Sequence, residues 1–523
     1  MNEVFVLELP LRVEKYQADI LNKRYEQLRQ LYNYVQGKLL RQYRYFEQMA
    51  EFQACKTFKE KHDFFRSHPF HIKGVYGKNK DLLDITFDEY GINGFVAKLG
   101  KKLVSSNTTY ADLGITSTIL DRLSLAVWAS WEKMLYSFQT KRLSFKKYSE
   151  LDSLSNRRIV VKGRVCFPGM ELHLEKMELA IKLNSKTGKN AKFIILSILH
   201  NPKHEDYEMY ALKGGIDSIK VLTVVRRMVR GRYKYYLQLG IEGEKPLKGR
   251  ALGKGNVGID LGPTTVAISS ESIVTIDKLA PKCDNIDAEK AKLGRKIDRS
   301  RRANNPDNFN EDGTIKRGVR LTWNDSKRYK ALRKEMSELQ RRQAAIRKQQ
   351  HIDRANDLLK EGDTFIVENN PIKGWAARAK ETKIDEKTGR FKSKKGRGKS
   401  IGNHAPAMFV TILENKVKSL GGKVVKVDTK NAASRYDFTD ESFTDHGYDR
   451  KITLSNGDTH QRDMLAAFNL QHLKYDEAEK KQYDREAMAQ DYDRFCELEQ
   501  AEIMRYKTKE KKDDRSTIGA EDL

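Results

Sequence analysis

Short apolar runs separated by long helical stretches fill the chain from about residue 255 onward, and few folds accommodate that alternation. The runs lie at 257–259, 266–269, 365–367 and 423–427. A helix of about 35 residues is expected through Tyr329, Leu332, Met336, Leu339 and Ile346, where apolar positions recur every three or four residues. Strands connected through helices of that length predict an α/β unit. Its start is marked by the linker EGEKPLKGRALGKG, and what precedes it reads differently. Residues 3–13 predict one strand, followed at once by helical spacing at Leu21, Tyr25, Leu28, Tyr32, Val35 and Leu39. Helical patterning continues to about residue 150, most strongly from Ile119 through Trp131 to Phe138. From 156 to 245 the texture is β-rich, with Arg230 and Gly231 between two long runs as a tight hairpin signal. These runs predict a small antiparallel barrel, which the first strand could close while the helical segment bulges out of it. The expected fold class is therefore multidomain, α+β followed by α/β.

Charge narrows the partner. The 523 residues carry 99 Lys and Arg against 72 Asp and Glu, a formal net charge of +27, so a polyanion is expected. No apolar run approaches the ~18 residues of a membrane span, and the acidic start lacks the basic and apolar regions of a signal peptide. A cytoplasmic protein with no membrane partner is expected. The four cysteines, Cys55, Cys166, Cys283 and Cys496, are too far apart for a C-x-x-C clip, which argues against a cysteine zinc finger and a disulfide framework. Cationic side chains concentrate in three places that predict phosphate contact. Lys146 and Lys147 lie in LSFKKYS; Arg333, Arg341, Arg342 and Arg347 lie along the long helix; Lys394, Lys395 and Arg397 belong to 371–402, which holds eleven Lys or Arg and three acids. Glycines in that last stretch predict no regular element, and residues 304–326, rich in Asn, Asp and Gly, predict a mobile loop.

Three acids stand out against this background. Asp260 follows the run NVGI, with Gly258 and Gly262 permitting close backbone approach, and Glu368 ends TFIVE in the same manner. Asp463, in HQRDMLAAFNL, precedes small Ala466 and Ala467 and then Phe468 and Leu470, predicting a helix that begins near the acid and packs tightly on a sheet. The intervals are 108 and 95 residues, so only tertiary structure can gather the three. Oxygen donors in this number suit Mg²⁺ or Mn²⁺, and a pair of such ions ~3.5–4 Å apart can hydrolyse a phosphodiester. Taken singly, each acid is also readable as an ordinary carboxylate, Asp463 as a helix cap.

At NVGIDLG, FIVEN and RDMLAAFNL the chain resembles the TnpB family, transposon-encoded RNA-guided DNA endonucleases related to type V CRISPR effectors. The resemblance covers most of the chain. It implies a wedge barrel at 1–14 and 151–248, a helical recognition domain at 15–150, and an RNase H-like RuvC nuclease domain at 255–430 and 463–506. A target-loading insert at 431–462 and a disordered tail at 507–523 complete the implied order. It further implies Asp260, Glu368 and Asp463 as the catalytic ligands of two Mg²⁺ ions, with Asp260 touching both, and a guide RNA and double-stranded target DNA as partners. The family's zinc ribbon falls near 431–462, where this chain has no cysteine, and His446 and His460 alone cannot complete a four-ligand site. No zinc is expected, and the insert must be held by packing or be vestigial. Three other readings compete: an RNA-guided repressor that binds without cutting, an actin-like ATPase suggested by GIDLGPTT but missing a second phosphate loop, and a strand-transfer transposase that needs no RNA.

Overall fold

The computed structural model describes residues 4–67, 85, 88–100, 103–105, 108–135, 143–244, 251–311, 313–377, 397–429, 433–444, 447, 449–475 and 481–510. The chain divides into two compact units, Met1–Pro246 and Leu247–Leu523.

The first unit is built on a seven-stranded sheet. Strand β1 (Val4–Arg12) leads directly into helix α1 (Lys15–Gln48), and helices α2 (Glu89–Gly100) and α3 (Ser117–Leu135) follow. The remaining strands are β2 (Ser153–Arg157), β3 (Met170–His173), β4 (Glu178–Lys182), β5 (Phe193–Ile198), β6 (Ile219–Val229) and β7 (Arg232–Glu242). Their order is β2-β6-β7-β1-β5-β4-β3, with every pairing antiparallel. The β6–β7 hairpin closes from Val229 to Arg232 through Arg230 and Gly231, both at positive φ (50° and 75°), a two-residue turn that suits the twist of the strands. Strand β1 joins β7 to β5, so the N-terminal strand completes the sheet and the helical segment is inserted behind it, as its position in the sequence suggested. The barrel expected from the sequence is present as a half-barrel sheet: among the described residues no ladder joins the end strands β2 and β3. Leu7, Leu9 and Leu11 alternate inward from β1 and share one core with Leu237, Leu239 and Ile241 and with helical Leu21, Tyr25, Leu28, Val35 and Trp131.

The second unit holds a five-stranded sheet: β8 (Asn256–Leu261), β9 (Thr265–Ser269), β10 (Val274–Lys278), β11 (Thr364–Glu368) and β12 (Lys423–Val427). The order is β10-β9-β8-β11-β12; β8, β9 and β10 form an antiparallel meander, and β8, β11 and β12 run parallel. Parallel neighbours require long crossovers, and here these contain α4 (Cys283–Ala303) and α5 (Lys327–Leu358) between β10 and β11. Three shorter helices, α6 (Ile372–Ala376), α7 (Gly398–His404) and α8 (Pro406–Ser419), lead from β11 to β12. Beyond β12 come the short hairpins β13 (Tyr436–Asp437) with β14 (Ser442–Phe443) and β15 (Lys451–Thr453) with β16 (Thr459–Gln461). Helix α9 (Arg462–Gln471), the pair β17 (Leu473–Tyr475) and β18 (Lys481–Tyr483), and helix α10 (Arg485–Glu510) end the described chain.

The two expectations of mobility fare differently. The loop at 304–326, read from the sequence as mobile, carries internal contacts that its composition did not suggest. Buried Asn305 donates to the Asn324 carbonyl at 3.0 Å, buried Asn308 to the Thr322 carbonyl at 2.6 Å, and Arg301 lies 3.6 Å over the Trp323 ring. The stretch 371–402 is helical at both ends, in α6 and α7, where no regular element was expected; its centre, including Lys394 and Lys395, lies outside the described residues. In the segment expected to be a disordered tail, residues 507–510 continue helix α10 and the rest lies outside the described residues. Among the described residues no helix is long and apolar enough to cross a membrane.

Candidate functional site

Pleat alternation decides which side chains meet. Val257, Ile259 and Leu261 of β8 share a core with Phe365 and Val367 of β11 and with Leu358 and Phe409, on the face covered by α5 and α8. Gly258 and Asp260 must then face the other way, as must Ile366 and Glu368. That second face is covered by α9, whose Ala466 and Leu470 pack with Ile366. The fit is close because Gly258 has no side chain: a Cβ there would stand 1.9 Å from the Ala467 carbonyl oxygen and 2.4 Å from the Gln471 nitrogen. Ile259 pairs with Val367 across the parallel ladder, so one residue further the same register sets Asp260 beside Glu368. Asp463, in the first turn of α9, comes to the same end of the sheet from above.

Electrostatics record the convergence. Burial holds Asp260 well above the ordinary carboxylate range, and the facing charges of Asp463 and then Glu368 push it further, with Arg462 opposing. Glu368 is raised by burial and partly restrained by a hydrogen bond from the Ala433 backbone N–H. Asp463 is compensated by cations: Arg450 Nη1 lies 2.9 Å from its Oδ2 and Arg462 Nε 3.3 Å from its Oδ1. The helix cap is not Asp463 but Gln461, whose side chain accepts from the Met464 N–H at 2.8 Å. The acid is thereby left for other work.

Asp260 feels the charges of the other two, yet the three carboxylates do not form a closed cage. Among the described residues no group of three or more His, Cys, Asp and Glu side chains stands ready to hold a metal ion. The donor set nonetheless fits a hard divalent cation in kind. Three carboxylates lie at one end of the sheet, and Asp260 carries like-charge repulsion that Arg462 only partly offsets.

Described residues of the insert at 431–462 pack against the helices that follow it. Tyr436, Phe438, Ile452 and Leu454 share a core with Met464, Phe468, Met488 and Phe495 of α9 and α10. Tyr436 stacks on Tyr483 at 4.0 Å between ring centroids, and Phe468 on Phe495 at 4.5 Å. Asn469, fully buried, donates to the Ala433 and Tyr436 carbonyls at 2.8 and 2.9 Å, tying the start of the insert to α9. His460 is buried against Glu499 and Tyr492.

The expected nucleic-acid contacts divide. Arg333 and Arg342 are exposed on α5, and Arg342 stands 4.0 Å from Glu289. Arg341 pairs with Glu338 at 2.6 Å, and Arg347 donates to the Gly402 carbonyl at 2.5 Å, so both are engaged within the protein. Arg397 is exposed at the start of α7, and its backbone N–H donates to the Trp375 carbonyl. In the first unit Lys146 lies 5.1 Å over the Tyr32 ring, with its backbone N–H and C=O both bonded to the Asn33 side chain, while the Lys147 N–H donates to Glu150. Sequence reasoning missed Arg450, Gln461, Asn469 and Glu499. Only the spacing of Gln461 and Asn469 around Asp463 offered a signal.

No protein-family model and no curated protein matches the chain. Among solved structures, a Cas12f1–sgRNA–target DNA complex overlaps 90% of this chain and 99% of its own at 13% identity and a TM-score of 0.45. A CRISPR–Cas12f ternary complex overlaps 87% of this chain and 82% of its own, at 13% identity and a TM-score of 0.28. A Cas12i–crRNA–dsDNA complex carrying E894A overlaps 81% and 56%, at 9% identity and a TM-score of 0.24. At such scores a likeness decides neither architecture nor activity.

Proposed function

We propose that this chain is an RNA-guided DNA endonuclease with an RNase H-like RuvC nuclease centre, which holds a guide RNA and cuts matched double-stranded DNA. The observation that carries the reading is the gathering of Asp260, Glu368 and Asp463 at one end of a β10-β9-β8-β11-β12 sheet, with Asp260 raised by burial and then by the other two. The net charge of +27 and the exposed arginines of α5 suit phosphate backbones, and base pairing with the guide would supply sequence choice.

In this reading Asp260, Glu368 and Asp463 are the residues that would hold the Mg²⁺ or Mn²⁺ ions. The ions would supply an activated water and charge stabilisation at the leaving oxygen. The chain's own work is positional. Gly258 lets α9 sit against the strand that carries Asp260, and Gln461 fixes the first turn that carries Asp463. Arg450 and Arg462 hold the Asp463 carboxylate in one orientation. The test is cleavage of guide-matched plasmid with Mg²⁺ by wild type and by Asp260→Ala, alongside sequencing of the RNA that co-purifies. Cleavage by wild type alone, with one abundant structured RNA, is the expected result.

A second reading, guided binding without cleavage, is favoured by one observation: both Asp463 oxygens face arginines and the three acids form no ready ligand set. If wild type and Asp260→Ala both bind matched plasmid and leave it intact, that reading replaces the first.

A further inference from the structure

Helix α9 begins where strand β16 ends, and the geometry of that junction decides where the Asp463 carboxylate stands. Gln461 closes the strand and caps the helix. Its own N–H is accepted by Glu499 Oε1 of α10 at 2.7 Å, while Glu499 Oε2 lies 2.6 Å from His460 Nδ1. The far side of the imidazole, Nε2, lies 2.7 Å from the Tyr492 hydroxyl, which donates to Asp458 at 2.8 Å. His460 and Glu499 are each 4% exposed. A buried carboxylate so divided grips the backbone at one point and the adjacent side chain at a second, leaving the cap position little freedom. One turn along α10, buried Glu502 accepts the Ile276 N–H at 3.1 Å, so the same helix also grips edge strand β10 of the sheet that carries Asp260.

We propose that Glu499 is a positioning residue for Asp463. With His460 and Tyr492 it sets the strand-to-helix junction, so that the carboxylate at the second helical position is presented to a divalent cation shared with Asp260 and Glu368. In a chain whose insert has no cysteine, this network holds the junction with side chains alone. The proposal rests on the reading of the three acids as metal ligands, and its mechanism is that of an outer-shell partner, whose loss typically costs 10- to 100-fold in metal affinity or activity.

The experiment uses the full-length protein loaded with its guide, comparing wild type, Glu499→Ala, Glu499→Gln and Tyr492→Phe. Plasmid cleavage is titrated with Mg²⁺, and amide hydrogen exchange is followed on the metal-free protein. In Glu499→Ala the half-saturating Mg²⁺ concentration should rise about tenfold, with the rate at saturating Mg²⁺ and target binding near wild type. Exchange should accelerate at Gln461 and Met464 but not in β8 or β11. Glu499→Gln should recover most of the affinity, because its amide oxygen can still accept the Gln461 N–H. A wild-type Mg²⁺ midpoint with wild-type exchange overturns the proposal, as does a lowered Tm with an unchanged midpoint. Should Glu499→Ala fail to fold, Tyr492→Phe removes only the hydroxyl behind His460; it should raise the midpoint by less, and no rise overturns the proposal. If wild type cuts nothing, the nuclease reading falls while the exchange comparison still decides whether Glu499 sets the junction.

Discussion

Gly258→Ala is the smallest change that tests the geometry of the site, because one methyl group would enter the seam between the strand of Asp260 and the helix of Asp463. The new Cβ would stand 1.9 Å from the Ala467 carbonyl oxygen and 2.4 Å from the Gln471 nitrogen. Ordinary contact needs about 3.5 Å, so roughly 1.5 Å must be found. Both obstructing atoms are backbone, and no rotamer change removes them. The central strand β8 is bonded on both sides, to β9 and β11, so the displacement falls on α9. Overpacking of this kind costs about 1–3 kcal/mol of stability. Its effect on chemistry should be larger, since a shift of ~1 Å at reacting groups can cost ~10²-fold in rate. Single-turnover cleavage of matched plasmid should fall by about that factor, with guide and target binding unchanged. Cleavage at the wild-type rate by a folded Gly258→Ala protein would refute the claim that α9 and β8 hold the acids in register.

Asp260→Ala should abolish cutting while sparing RNA and DNA binding, as measured by plasmid cleavage beside a mobility-shift titration; so should Asp463→Ala, and normal cutting by either removes that acid from the site. In metal-free protein the raised Asp260 and Glu368 hold protons that the unfolded chain has already released, so their contribution to stability is lost as pH rises through the raised values. Asp260→Asn should therefore melt above wild type at neutral pH without divalent ions and should lack the rise in Tm that Mg²⁺ gives wild type. Burial lowers His351 to about 4, so the stability it lends is complete above its unfolded value near 6.5 and is lost as pH falls toward 4. The difference between wild type and His351→Gln should change by on the order of 3 kcal/mol across that window in denaturant titrations, and a pH-independent difference would contradict the assignment. Nucleic-acid affinity should fall by ~10³-fold or more from low to moderate salt if six to ten phosphates are met. Arg333→Glu should flatten that slope, whereas Arg347→Ala should lower Tm by loosening α7 and leave the slope alone.

The legible parts of the chain were those in which residue type and period say the same thing. Val257, Ile259 and Leu261 against Gly258 and Asp260 carry the two faces of a strand in five letters, and Ala466 and Ala467 announce a helix pressed against something. The sheet order was not legible, because β8 pairs with a strand more than a hundred residues later and nothing local encodes that. Composition misled at 304–326: Asn and Gly mark a loop, but the same Asn amides that suggest mobility can bond across the loop, as Asn305 and Asn308 do. On α5 the periodicity locates arginines without saying which meet α7 and which meet solvent, so Arg347 and Arg333 looked alike.

The insert makes the general point more sharply. Three ligand acids can be proposed from sequence because divalent-ion chemistry restricts which residue types will serve, whereas the groups that aim them are restricted only by where they touch. Tyr436, Phe438, Phe468 and Phe495 read as unremarkable apolar letters, Arg450 as one cation among 99, and Glu499 as one acid among 72. Their roles exist only after two hairpins and a C-terminal helix have closed on α9. A metal-binding ribbon would have been visible as a spacing of cysteines and histidines, since few residue types serve as its ligands; a packed ribbon has no such signature, because many aromatic combinations would fill the same space. The packing around the insert has a testable consequence: if packing alone holds Asp463 in place, a zinc-selective chelator at concentrations that spare Mg²⁺ should leave cleavage unchanged, and inhibition that added zinc reverses would show that metal, not packing, sets the junction.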